Sequence, residues 1–276
     1  MLFFEYCFVS KHFETNLFMR KEILKMFDIH NGVLRRFNKD SKEERVIIPN
    51  GITAIGDRAF EGCAFVKSIE IPDSVITIGN SAFECCSGLK TIFIPDSVQR
   101  MGDGLLFGCT ALESFIIPEG FKTIGIGTFS ECYNLKSVYI PDSIEVIGMQ
   151  AFYDCKSLKH IYIPENVRRI GCEAFAGCDG LAHIEINNGV EKIYDGAFCE
   201  CKALKTAIVP YISLAMFVNC YSLTDVWVTN EFDYSEDFYV NGSAFENCNN
   251  LRNIWVIRNK SRNTLSHVVK YFDVSE

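Results

Sequence analysis

Thirteen cysteines, five histidines and a recurring Pro-Asp-Ser are the parts of this 276-residue chain with the means to do chemistry. Cysteines ligate metals or exchange disulfides, and paired histidines hold metals or sense pH near neutrality. A serine becomes a nucleophile when a base sits beside it. Spacing decides among these. Cys63, Cys86, Cys109, Cys132, Cys155, Cys178 and Cys201 follow one another at intervals of 23 residues. Metal-binding cysteines cluster in short loops such as C-x-x-C. One thiol per long interval instead predicts core packing, where a buried Cys behaves as a small hydrophobe. Cys7, Cys85, Cys172 and Cys199 fall off the column. The Pro-Asp-Ser serines recur too often to be nucleophiles and lack a positioned histidine, so they predict turn chemistry. No G-x-S-x-G, H-E-x-x-H, phosphate-loop or dinucleotide signature occurs. The expectation is a non-enzyme with no catalytic residue, no cofactor and no metal.

The same interval organises the rest of the chain. Pro49, Pro72, Pro95, Pro118, Pro141 and Pro164 keep the 23-residue step, and Pro210 lies two steps further on. Gly56, Gly79, Gly102, Gly125, Gly148 and Gly171 share it, as do Phe60, Phe83, Phe129, Phe152, Phe175 and Phe198. The unit reads I-P-x-x-V-x-x-I-G-x-x-A-F-x-x-C-x-x-L-x-x-I-x-I. One such unit cannot bury its own apolar residues, so stacked units must cover one another. Its L-x-x-I-x-I segment alternates like a strand, with Leu89, Ile92 and Ile94 inward. Proline ends that strand, because it cannot donate to a ladder. Successive strands are then predicted to lie parallel, about 4.8 Å apart.

This pattern resembles the BspA-type leucine-rich repeats, whose unit is also 23 residues long. The resemblance rests on Ile94-Pro95, Val98, Met101-Gly102, Cys109 and Leu112 and covers about Ile48 to Ile257, roughly nine units. It implies a leucine-rich repeat solenoid with a parallel β-sheet on the concave side. Short helical or irregular arcs are implied on the convex side. It also implies bacterial adhesion or protein-interaction roles, often at the cell surface, and brings no catalytic activity.

Residues 1–18 are expected to be poorly ordered, and Met19 would be a natural start. Residues 19–48 are expected to form a cap, a short helix followed by a hairpin turning at Asn31-Gly32. Repeats follow over 49–257, the last two irregular, and a cap helix over 258–276. The third unit departs from the pattern at Leu105-Leu106-Phe107, and the seventh at Asn187 and Tyr194.

Net charge is −8 with no basic block, which argues against nucleic acid. No apolar run is long enough to insert in a membrane. Without an export signal the sequence favours the cytoplasm, whereas the resemblance implies the cell surface.

The outward strand positions carry the functional expectation. The residue between the two buried isoleucines reads Glu70, Phe93, Ile116, Tyr139, Tyr162, Glu185, Ile208, Trp227 and Trp255. A solenoid has no need of large apolar residues facing water, and such a stripe usually marks a binding surface. A protein partner on the concave face is expected, with a glycan as the second class of ligand. Sheet stabilisation by cross-strand aromatic pairs is the competing account. The adjacent outward column places His160 beside His183, an alternative metal or pH-sensitive site. An acidic row (Asp73, Asp96, Glu119, Asp142, Glu165) and a basic row (Lys67, Lys90, Lys136, Lys159, Lys205, Arg252) predict a face polarised from rim to rim. Oligomeric state is not legible.

Overall fold

The computed structural model describes residues 26–229 and 242–256 and the two-residue strand Val268–Val269. The expected loose start at 1–18, most of the expected short helix before the Asn31-Gly32 hairpin and most of the expected helix at 258–276 lie outside these residues. Each 23-residue unit makes one coil of a parallel solenoid.

The L-x-x-I-x-I segments build the first ladder. It opens with Arg45–Ile47, Ser68–Glu70 and Thr91–Ile92, then Ser114–Ile116 pairs with Ser137–Tyr139. After a lapse at His160-Ile161-Tyr162, it resumes through His183–Glu185, Thr206–Val209, Asp225–Val228 and Asn253–Val256. Val268–Val269 closes the end by pairing antiparallel with Ile254 and Trp255, so at these two residues a strand stands where a helix was expected.

A second ladder, which sequence periodicity did not reveal, runs through the residues just before each repeat glycine. A hairpin, Phe27–His30 with Val33–Phe37, starts it, with Asn31 and Gly32 both at positive φ as its turn requires. Ala54–Ile55, Thr77–Ile78 and Arg100–Met101 follow in parallel. A separate run joins Thr123–Ile124, Val146–Ile147, Arg169–Ile170 and Lys192–Ile193.

The G-x-x-A-F-x-x-C arc is a chain of turns rather than a helix. Among the described residues the only longer helical piece is the 3-10 segment Gly242–Phe245. Each arc enters the left-handed region at two fixed positions. One is held by Arg58, Ser81, Gln150 and Glu173, the other by Cys85, Glu131, Asp154 and Glu200, with glycines between them. Cys85 therefore stands at a bend position where Gly62 and Gly108 stand in adjacent coils.

Two columns fill the core. The repeat phenylalanines stack face to face: Phe129, Phe152, Phe175 and Phe198 have centroids 5.0–5.1 Å apart and planes within 18°. The nine column cysteines, Cys220 and Cys248 among them, are all buried. From Cys86 onward each thiol reaches a main-chain carbonyl in the preceding coil. Cys86 donates to Phe60, Cys155 to Phe129 and Cys178 to Phe152 at 3.1–3.2 Å. A thiol suits this position because it fills apolar space and still satisfies a buried carbonyl. Burial pushes the Cys132 thiol up to about 12, with the Cys109 backbone hydrogen bond opposing it. The eight column thiols from Cys86 onward are expected to resist maleimide at pH 7 and to react only in denaturant, because the thiolate is the nucleophile. Ellman counting before and after urea checks this; rapid native labelling of Cys132 or Cys155 would refute it.

The Pro-Asp-Ser serines also work between coils. Ser74 and Ser97 donate to the carbonyls of Ile52 and Val75 at 2.8 Å.

At one interface between coils both ladders lapse together. No strand pairing links Thr91–Ile92 to Ser114–Ile116 or Arg100–Met101 to Thr123–Ile124. Leu106 takes the phenylalanine position here, and Phe115 from the strand meets Phe129 edge-on at 5.2 Å. A void of about 20 Å³ remains beside Leu105, Phe115 and Phe129. The turn edge is intact, with Gly104, Leu106 and Gly108 donating to Ile126, Thr128 and Ser130 at 2.7–2.9 Å.

Candidate binding face

The first ladder turns its middle column away from the core because the flanking positions are apolar and buried. Phe93, Ile116, Tyr139 and Tyr162, on four successive coils, are 66%, 62%, 55% and 66% exposed. Ile47, in register with Glu70, belongs to the same column and is exposed too; the repeat frame, counted from Pro49, left it out. Ile208, Trp227 and Trp255 behave differently. They are half-buried, and the two indoles stack with planes 10° apart and centroids separated by 6.5 Å. The expected single stripe is thus two patches. In one, rings pack on each other; in the other, Phe93, Tyr139 and Tyr162 make no ring-to-ring contact among the described residues.

The charged rows also differ from expectation. Glu44 and Glu113 occupy the basic column and pair with Lys67 and Lys136 at 2.6 and 2.8 Å. Lys136 holds the Glu113 carboxyl below its usual range. The acidic row Asp73, Asp96, Glu119, Asp142 and Glu165 is exposed and makes no ion pair among the described residues. Tyr139 Oη donates to Glu119 Oε1 at 3.2 Å, and the Glu119 charge raises the phenol pKa.

His160 and His183 are both exposed, and His160 lies in the coil where the ladder lapses. His183 Nδ1 sits 2.6 Å from Thr206 Oγ1. Among the described residues no three His, Cys, Asp or Glu side chains are grouped to hold a metal. An apolar hollow of about 620 Å³ lies at the N-terminal end, lined by Phe27, Phe37, Val46, Ile47 and Pro49, and it borders Met26, where description begins. No helix among the described residues is long and apolar enough to cross a membrane.

Parallel coils, most of them 23 residues long, a phenylalanine stack and one inward leucine per coil define a leucine-rich repeat solenoid. The BspA type leucine rich repeat region matches residues 35–159 and 145–263, in six copies, and the chain belongs to that family. A leucine-rich repeat protein from T. pallidum is 27% identical, covers 65% of this chain and 88% of its own, and superposes with a TM-score of 0.57. A leucine rich cell surface protein from Faecalibacterium prausnitzii is 23% identical over 85% of this chain and 93% of its own, at a TM-score of 0.46. A leucine-rich repeat protein from Bacteroides ovatus is 24% identical over 84% of this chain and 74% of its own, at 0.49. No curated protein sequence matches the chain. Repeats of this family make a protein-interaction scaffold.

Proposed function

We propose that the chain is a non-enzymatic binding module whose exposed patch Phe93, Ile116, Tyr139 and Tyr162 receives a protein partner. One observation carries this reading. These side chains are large, apolar and more than half exposed, yet Phe93, Tyr139 and Tyr162 make no ring contacts with one another. Ring-on-ring stacking therefore does not account for them, as it does for Trp227 and Trp255, and the one cross-strand pair in the patch is Tyr139 in register with Ile116. Contiguous exposed apolar surface of this kind is the usual mark of an interface. A cell-surface setting is the one the family resemblance implies for such a module.

The triple variant F93S/Y139S/Y162S tests the proposal. Crosslinking capture of partners is expected to be lost, while the melting temperature moves by less than 3 °C, since exposed substitutions usually change stability by within about 0.5 kcal/mol. Unchanged capture together with a markedly lower melting temperature would instead assign these residues to sheet stability. Trp227→Ala is expected to show the reverse pattern.

A further inference from the structure

We infer that the occupant of this patch is an extended segment bearing arginines. The inference rests on the patch being the binding face. Each of its four coils carries an acidic residue three positions after the exposed side chain: Phe93 with Asp96, Ile116 with Glu119, Tyr139 with Asp142, Tyr162 with Glu165. The solenoid thus presents an apolar stripe and, beside it just past the proline turn, a row of carboxylates one coil apart, close enough that Tyr139 Oη reaches Glu119 Oε1 at 3.2 Å.

The protein supplies this row with no cation, although the Tyr139 hydroxyl donates to Glu119 at 3.2 Å. None of the four carboxylates has an ion-pair partner among the described residues. The nearest arginine in sequence, Arg168, directs its guanidinium to the main-chain carbonyls of Glu165 and Gly189 at 3.1 Å. On the opposite rim, by contrast, Lys136 is already neutralised by Glu113. Like charges stacked at coil spacing repel, and a row of cations laid along them relieves that repulsion. Arginine fits both features. Its guanidinium pairs with a carboxylate in planar geometry and stacks on a tyrosine ring, which an ammonium does less well. Four coils span about 14 Å, the length of four or five extended residues, so a short segment alternating Arg with apolar residues matches both rows.

The probe is a fluorescein-labelled (Arg-Val)5 peptide, read by anisotropy against the whole chain, with (Lys-Val)5 and (Gln-Val)5 as comparisons. Binding is expected in the order Arg, Lys, Gln and is expected to weaken with salt. Neutralising the row, D96N/E119Q/D142N/E165Q, is expected to raise the Kd about tenfold. Neutralising four carboxylates on the turn arcs, E61Q/E84Q/E131Q/E200Q, is expected to leave it unchanged. Equal loss in both variants would reduce the effect to net charge and overturn the inference, as would no binding by the parent chain. Peptide binding lost in F93S/Y139S/Y162S but kept in the row variant would leave the binding face standing and sink the arginine segment. Binding kept in both would sink the two together. Protection of the column thiols reports that each variant is folded.

Discussion

Phe152→Ala is expected to lower unfolding free energy by about 3–5 kcal/mol, the cost of removing a fully buried ring. Phe152 has no exposed surface and lies between Phe129 and Phe175, with centroids 5.1 and 5.0 Å away. Its loss empties space on two interfaces at once, and neighbouring rings cannot close the gap without parting coils that their hydrogen bonds hold in register. Coils interact with nearest neighbours, so the damage is local in space. It should appear as a second step in urea unfolding as well as a lower midpoint. The Leu106 position is nature's version of this substitution: with leucine there, Phe115 turns in from the strand and a small void still remains. Phe152 has no such substitute on hand, because Val138 and Ile161 hold the strand positions nearest to it in the repeat. A single transition displaced by under 1 kcal/mol would contradict this account.

Gly171→Ala is expected to cost about 3 kcal/mol or more, the upper range for overpacking. A Cβ there would lie 2.4 Å from the Met149 amide nitrogen and 2.6 Å from the Gly148 carbonyl carbon. Both obstacles are main chain, and both belong to the preceding coil, which Gly171 itself bonds through Ile147 at 2.9 Å. No side-chain rotation relieves them. Gly51→Ala makes the control: nothing lies within 4 Å of its Cβ, and only its φ of +90° opposes a side chain. That strain costs about 1–2 kcal/mol. Melting temperatures of the pair separate close approach from backbone conformation; equal losses would show that clash is not the cause.

The period, the inward Leu and Ile positions, the phenylalanine stack and the structural role of the cysteines were legible because each repeats one residue type at one step. The second ladder was not. Thr77–Ile78 and Arg100–Met101 are two-residue strands, too short to show alternation. The left-handed columns were hidden for the opposite reason: Arg58, Cys85 and Glu131 share a conformation but no chemistry. That is why Cys85 looked like a stray thiol in sequence and reads as a bend residue in the fold. The outward stripe was legible as a column, but its division was not. Residue type does not distinguish Tyr162 from Trp227; burial by neighbours does. Likewise, Glu113 interrupts the basic row in the sequence itself, yet only the ion pair with Lys136 shows that the rim is neutralised there.

The interface at Leu106 has a mechanical meaning. Both sheets lapse between the coil of Ile92 and the coil of Phe115, while main-chain bonds along the turn edge continue. Elsewhere on this interface only sparse bonds remain, Glu113 N–H to the Lys90 carbonyl at 3.3 Å and Ile126 N–H to Asp103 Oδ1 at 2.8 Å, so the rod is fastened chiefly along one edge, like a book along its spine. Only here among the described coils are both ladders lapsed together, so opening about the turn edge breaks few main-chain bonds. Phe93 lies on one cover and Ile116 and Tyr139 on the other, so a ligand seated across them would set the angle at which the book stands open.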